Sequence, residues 1–121
     1  EPAGFDDVAQ SLIAGRITGH HGSTTVCDAI MTPAPGEITF PILQRLCGPG
    51  LLVTDAEAMR AVALAFTHLR IVLEPGGAVS LAPALFRGDE IEGDAVIAVA
   101  SGGNVDAATF GLALDRYGTG D

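Results

Sequence analysis

The sequence predicts an α/β fold, rich in helix and short of strand. Three observations carry that reading. Apolar residues recur at helical spacing in several segments, most regularly at Met59, Val62, Ala63, Phe66 and Leu69. The apolar run Ala95-Val96-Ile97-Ala98-Val99-Ala100 reads as a strand and breaks abruptly into Ser101-Gly102-Gly103-Asn104-Val105-Asp106, with a helix-like segment directly behind it. Strand-loop-helix joints of this kind belong to part of a sheet with helices on it and not to a bundle. One or two strands cannot form that sheet alone.

Taken in order, the first helix starts near Asp6-Asp7 and runs to about Ala14, with Gly15 as its stop. Gly15 to Glu37 is rich in Gly and Pro and reads as mostly irregular, with a short turn around Val26 to Met31. A second helix fits Phe40 to Cys47, where Thr39 can cap and Pro41 sits in the first turn. Leu51-Leu52-Val53 is a short strand candidate. Thr54-Asp55-Ala56-Glu57 is a capping box that opens a helix over about Asp55 to Leu69, with His68 and Arg70 suiting its negative end. Glu74-Pro75-Gly76-Gly77-Ala78 opens another, reaching about Phe86 with Pro83 as a candidate kink. Arg87 to Asp94 is a polar turn, and Asp106 caps a last helix to about Tyr117.

A chain of 121 residues fits one domain with a real core. Charged residues make up 17% and hydrophobic residues 48%, where soluble domains carry roughly 25% charged. With a mean hydropathy of +0.40, this predicts a surface partly covered by a further segment of the same polypeptide, a second subunit, or both. A formal net charge of -9 without a basic cluster argues against nucleic acid and anionic membrane surfaces. Small molecules and proteins remain as partners. The apolar runs fall far short of the roughly 20 residues that span a bilayer. Glu1-Pro2-Ala3-Gly4 lacks the regions of a signal peptide, which makes the cytoplasm the default location. Cys27 and Cys47 form no disulfide framework and read as reduced, buried thiols. His20 and His21, adjacent in a Gly-rich loop, read as surface histidines.

Four separated pieces occur in an order that matters: Glu1-Pro2-Ala3-Gly4-Phe5-Asp6-Asp7, Val26-Cys27-Asp28-Ala29, Glu74-Pro75-Gly76-Gly77-Ala78 and Ser101-Gly102-Gly103-Asn104-Val105-Asp106. In that order they resemble motifs of the pyridoxal-phosphate-dependent serine/threonine dehydratases, a family that includes threonine ammonia-lyase, serine racemase and 3-hydroxyaspartate dehydratase. The resemblance implies that residues 1–121 are the C-terminal portion of a large catalytic domain of fold type II, the tryptophan synthase β-like architecture, with no regulatory domain. It implies pyridoxal 5'-phosphate as cofactor. Ser101 would hydrogen-bond the pyridine nitrogen. A hydroxyl cannot keep that nitrogen protonated as a carboxylate would, so the ring withdraws electrons less strongly, which suits loss of a β-leaving group. Gly102 and Gly103 would let the ring approach, and Asn104 would bind nearby or cap the next helix. Glu74 matches a glutamate near the ring, although an acidic residue before Pro also suits a helix start by itself.

Glu1 and Asp7, with the carbonyl of Phe5, resemble a divalent-cation site, whose all-oxygen ligation suits Mg²⁺ or Ca²⁺; alternatively the two carboxylates only serve a helix N-terminus. Asp28 matches a segment near the active site, from which Cys27 and Ala29 depart, and a turn-forming aspartate fits it equally.

The family's lysine, which bonds the cofactor and moves the α proton, has no counterpart here: all six basic residues are Arg. The chain is therefore expected to be inactive alone and to need an N-terminal portion of the same enzyme, in a homodimer, acting on a small hydroxyamino acid to give a 2-oxo acid and ammonia. A free-standing, non-catalytic binding domain on the same scaffold and a portion of an amino-acid racemase are the alternatives.

Overall fold

The computed structural model describes residues 1–19 and 23–119. Six α-helices form among them: α1 (Asp7–Ala14), α2 (Phe40–Leu46), α3 (Asp55–Leu64), α4 (Pro75–Ala78), α5 (Leu81–Phe86) and α6 (Ala107–Tyr117). His20 and His21 lie outside the described residues.

Helix α3 is the organising element, and its sequence says why. The Thr54 hydroxyl accepts from the Glu57 amide at 3.2 Å while the Glu57 carboxylate accepts from the Thr54 amide at 2.8 Å, so two end-of-helix donors are satisfied at once. Ala58, Met59, Ala61, Val62 and Ala63 are all buried on it. Alanines let neighbouring backbones come close, and α3 packs against α4, α5 and α6. The core they enclose includes Val53, Val62, Leu73, Val79, Ala82 and Ala113. Burying one valine such as Val62 contributes about 1.5 kcal/mol or more. At its edge Phe66 meets Phe110 edge-to-face, with ring centroids 5.3 Å apart.

Past Leu64 the α-helix gives way to π-helical turns over Ala65–Leu69, which close at Arg70 with a φ of 60°. The single helix expected over residues 75–86 is two. Pro83 has no N–H to give the Val79 carbonyl, and the chain breaks at Val79-Ser80 between α4 and α5. Gly15 stops α1 as expected, in the left-handed region at φ 67°. Thr39 does not cap α2; its hydroxyl donates to the Gly36 carbonyl at 3.2 Å instead. Cys27 is buried, but Cys47 is exposed where the chain turns extended after α2.

The strand expectations are corrected most. Among the described residues no strand forms; one parallel bridge joins Pro2 to Val53. Around it the Val53 amide donates to the Glu1 carbonyl at 2.7 Å and the Ala3 amide to the Val53 carbonyl at 2.8 Å. Residues 95–100 pair with no strand, because a ladder needs a second extended segment alongside. Ile97 is left 93% exposed and Val99 66% exposed. No described helix is long and apolar enough to cross a membrane.

Candidate functional site

Helix α4 grips the segment around Ser101 from both sides. At its start, Glu74 is extended and its amide donates to the Gly102 carbonyl at 3.0 Å. Just past its end, the Ser80 hydroxyl donates to the Val99 carbonyl at 2.6 Å. Between these tethers the backbones nearly touch. A Cβ on Gly77 would overlap the Gly102 carbonyl, one on Gly102 would overlap the Glu74 carboxylate, and one on Gly103 would lie 2.5 Å from the Val72 carbonyl oxygen. Two motifs far apart in sequence are thus one structural unit, and their glycines have a steric reason.

This docking distributes the expected residues over two concavities. Ser101 lines the larger, about 680 Å³, together with Ser80, Gly76, Thr32 and Glu1 among mostly apolar neighbours. Glu74, Asn104 and Asp28 line a much smaller one of about 70 Å³, with Asp106 and Thr109. Ser101 and Glu74 therefore do not share a cavity. Asn104 stays exposed, and Asp106, not Asn104, caps α6 by accepting from the Thr109 amide at 2.9 Å. That bond holds the Asp106 carboxyl below its ordinary range.

The larger cavity fits the ring end of a pyridoxal group. Its volume suits a small-molecule site, and the Ser101 hydroxyl at its wall has no hydrogen-bond partner among the described residues. It does not fit the phosphate end, since neither Arg nor Lys lines it. The smaller cavity is too small for a ring.

The three residues of the expected cation site gather at the start of α1, with structural work of their own. The Glu1 carboxylate accepts from the Val8 amide at 3.0 Å and the Ala9 amide at 2.7 Å. Asp7 is 1% exposed and accepts from the Thr32 hydroxyl at 3.3 Å. Phe5 is buried beside them in sequence. Among the described residues no three His, Cys, Asp or Glu side chains cluster as a metal site.

Several anchoring residues were not singled out from sequence. Asp55 accepts from the Thr25 hydroxyl at 2.5 Å and from the Val26 amide at 3.2 Å, fixing the loop that carries Cys27 and Asp28 onto α3. Its only sequence signal was its place in the capping box. Ser80 and Thr32 carried none, because a hydroxyl's long-range partner leaves no periodicity. Burial pushes the Cys27 thiol up, against a lowering contribution from the Thr25 hydroxyl.

A family model described as pyridoxal-phosphate dependent enzyme matches residues 1–102. The serine racemase of Dictyostelium discoideum is 35% identical over 120 residues, covering 95% of this chain and 36% of the racemase. The beta-hydroxyaspartate dehydratase of Paracoccus denitrificans is 35% identical over 106 residues, covering 88% of this chain and 33% of that enzyme. Among solved structures, the T.th. threonine deaminase superposes with a TM-score of 0.81 at 37% identity, over 87% of this chain and 35% of its own. The processed threonine deaminase isoform 2 of Solanum lycopersicum gives 0.85 at 28% identity, over 99% and 34%. The chain spans about a third of the length of the curated relatives it matches. The helix-rich α/β architecture of fold type II is thereby established for the part described.

Proposed function

The chain belongs to the family of pyridoxal-phosphate dependent enzymes, and on that premise we propose that it is the C-terminal portion of the large catalytic domain of a hydroxyamino-acid dehydratase. The observation that carries this is the α4 grip, which leaves the Ser101 hydroxyl uncommitted at the wall of a cavity of about 680 Å³. The names of the relatives, dehydratase and ammonia-lyase among them, support the same class of reaction.

Pyridoxal phosphate, when bound, draws electron density from the substrate's Cα. Ser101 hydrogen-bonds the pyridine nitrogen without fixing a proton on it, which keeps that withdrawal moderate and favours departure of a β-hydroxyl. Gly102 and Gly103 let the backbone come close, while Glu74, Asn104 and Asp28 line the neighbouring small cavity. Phosphate binding and the α-proton transfer fall to an N-terminal portion of the same enzyme, since the chain has no lysine; alone it is inactive. Glu1, Asp7 and the Phe5 carbonyl hold Mg²⁺ or Ca²⁺ and stiffen the start of α1. The substrate is a small hydroxyamino acid, the assembly a homodimer and the location cytoplasmic.

The test is to purify the full polypeptide carrying these residues, record its pyridoxal absorbance, and assay 2-oxo acid and ammonia from L-threonine, L-serine and 3-hydroxyaspartate. Ser101→Asp should lower elimination by about tenfold or more, the worth of roughly 1.4 kcal/mol in the barrier. A protein with no pyridoxal absorbance overturns the reading in favour of a non-catalytic domain. The identity to a serine racemase favours a second reading, which appearance of D-serine without 2-oxo acid would select.

A further inference from the structure

We propose that Ser80 is a positioning residue for Ser101, an inference that rests on the cofactor role given to Ser101 above. Among the described residues the run that leads into Ser101 pairs with no strand, and its last turn must present one hydroxyl in one direction. Two hydrogen bonds frame that turn. Val99, two residues before Ser101, receives the Ser80 hydroxyl, and Gly102, one residue after it, receives the Glu74 amide. Both donors flank α4, a helix of only four residues, so the two tethers leave the chain close together. Gly77 packs on the Gly102 backbone from the same helix. The turn can neither slide along α4 nor roll about its own axis while both bonds hold.

The two tethers differ in kind. The Glu74 bond is backbone to backbone and survives any substitution that keeps the fold. The Ser80 bond depends on one side chain. At 2.6 Å it is a short hydroxyl-to-carbonyl bond. Ser80 and Ser101 also line the same cavity. Removing the Ser80 hydroxyl should leave α4 folded and free the Val99 side of the turn, so that Ser101 samples several directions.

The test uses the full, cofactor-loaded protein with Ser80→Ala and Ser80→Thr. Ser80→Ala should accelerate hydrogen exchange of the peptide spanning 95–103, with and without cofactor, and speed cofactor release. It should lower kcat about fivefold with KM little changed, which is what loss of orientation does to a group acting in the transition state. Ser80→Thr keeps a hydroxyl and should restore all three. An active wild type whose Ser80→Ala variant shows unchanged exchange, release and kcat overturns this proposal alone, as does a Ser80→Ala defect that Thr fails to rescue. A wild type without pyridoxal absorbance overturns the reading of Ser101 and this proposal with it.

Discussion

The Glu57 carboxylate binds Arg87 in a forked pair, accepting from Nε at 3.1 Å and from Nη2 at 2.9 and 3.0 Å, while the same group closes the capping box of its own helix. One side chain thus joins the start of α3 to the residue that ends α5. Burial pushes the Glu57 carboxyl up, but the Thr54 amide and hydroxyl and the Arg87 guanidinium outweigh it, so the net shift is downward. A carboxyl with a lowered native pKa stabilises fully above its unfolded value and loses that contribution as pH falls through the native one. Thermal unfolding from pH 7 to pH 3 should therefore show a steeper acid loss for wild type than for Glu57→Gln. Because the pair is partly exposed, high salt should shrink the difference; parallel pH profiles would refute the linkage.

The glycines of the α4 docking make a graded set. Gly77→Ala drives a Cβ into backbone, which cannot step aside, and should cost about 1–3 kcal/mol in unfolding free energy. Gly102→Ala meets the end of the Glu74 side chain, which can swing away, so its cost should be smaller. Gly48→Ala and Gly88→Ala meet nothing within 4 Å and serve as controls. Denaturant midpoints should rank Gly77→Ala lowest, and equal midpoints for Gly77→Ala and Gly88→Ala would contradict the docking.

What the sequence reveals of this fold is what short-range chemistry writes into it. The Thr54 capping box, the Gly15 stop and the Asp106 cap were all legible, since each is decided within a few residues. Pro83 announced a defect, but its position, at Val79-Ser80, follows from where a missing N–H would have bonded. The run 95–100 reads as a strand from composition, but pairing depends on a neighbour that local sequence does not name. The same holds at the site. Glu74 and Ser101 were visible as motif residues, while their separation into two different cavities was not. Ser80, Asp55 and Thr32 act through partners 19, 30 and 25 residues away, a distance at which no pattern survives.

The two cysteines should separate cleanly in a thiol-labelling experiment. Cys27 is 1% exposed and its thiol is pushed up by burial, so little reactive thiolate forms near neutral pH. Cys47 is exposed after α2. With iodoacetamide under native conditions, mass mapping should find Cys47 modified first and Cys27 only at the rate of unfolding. Thr25→Ala removes a hydroxyl that fastens this loop to Asp55 and should speed Cys27 labelling without touching Cys47. Equal labelling of both in the wild type would show that the loop is not fixed to α3.

The start of α1 supplies the sharpest test of the cation reading. A carboxylate as buried as Asp7 is costly unless charge or hydrogen bonds compensate it. The Thr32 hydroxyl and the positive end of α1 offset part of that cost, and a bound divalent ion would offset more. Glu1 already gives both oxygens to the amides of Val8 and Ala9, but a carboxylate oxygen has a second lone pair, so capping and ligation are compatible. Mg²⁺ or Ca²⁺ at a hundred times its dissociation constant should stabilise the full protein by about 2.7 kcal/mol, raising its thermal midpoint, and a chelator should reverse the rise. Asp7→Asn should abolish the response to metal. Glu1→Gln should lower the midpoint even without metal, because a neutral amide oxygen is a weaker acceptor for the amides at the start of α1. A midpoint indifferent to both ions and to chelator would leave Glu1 and Asp7 as helix-start residues alone.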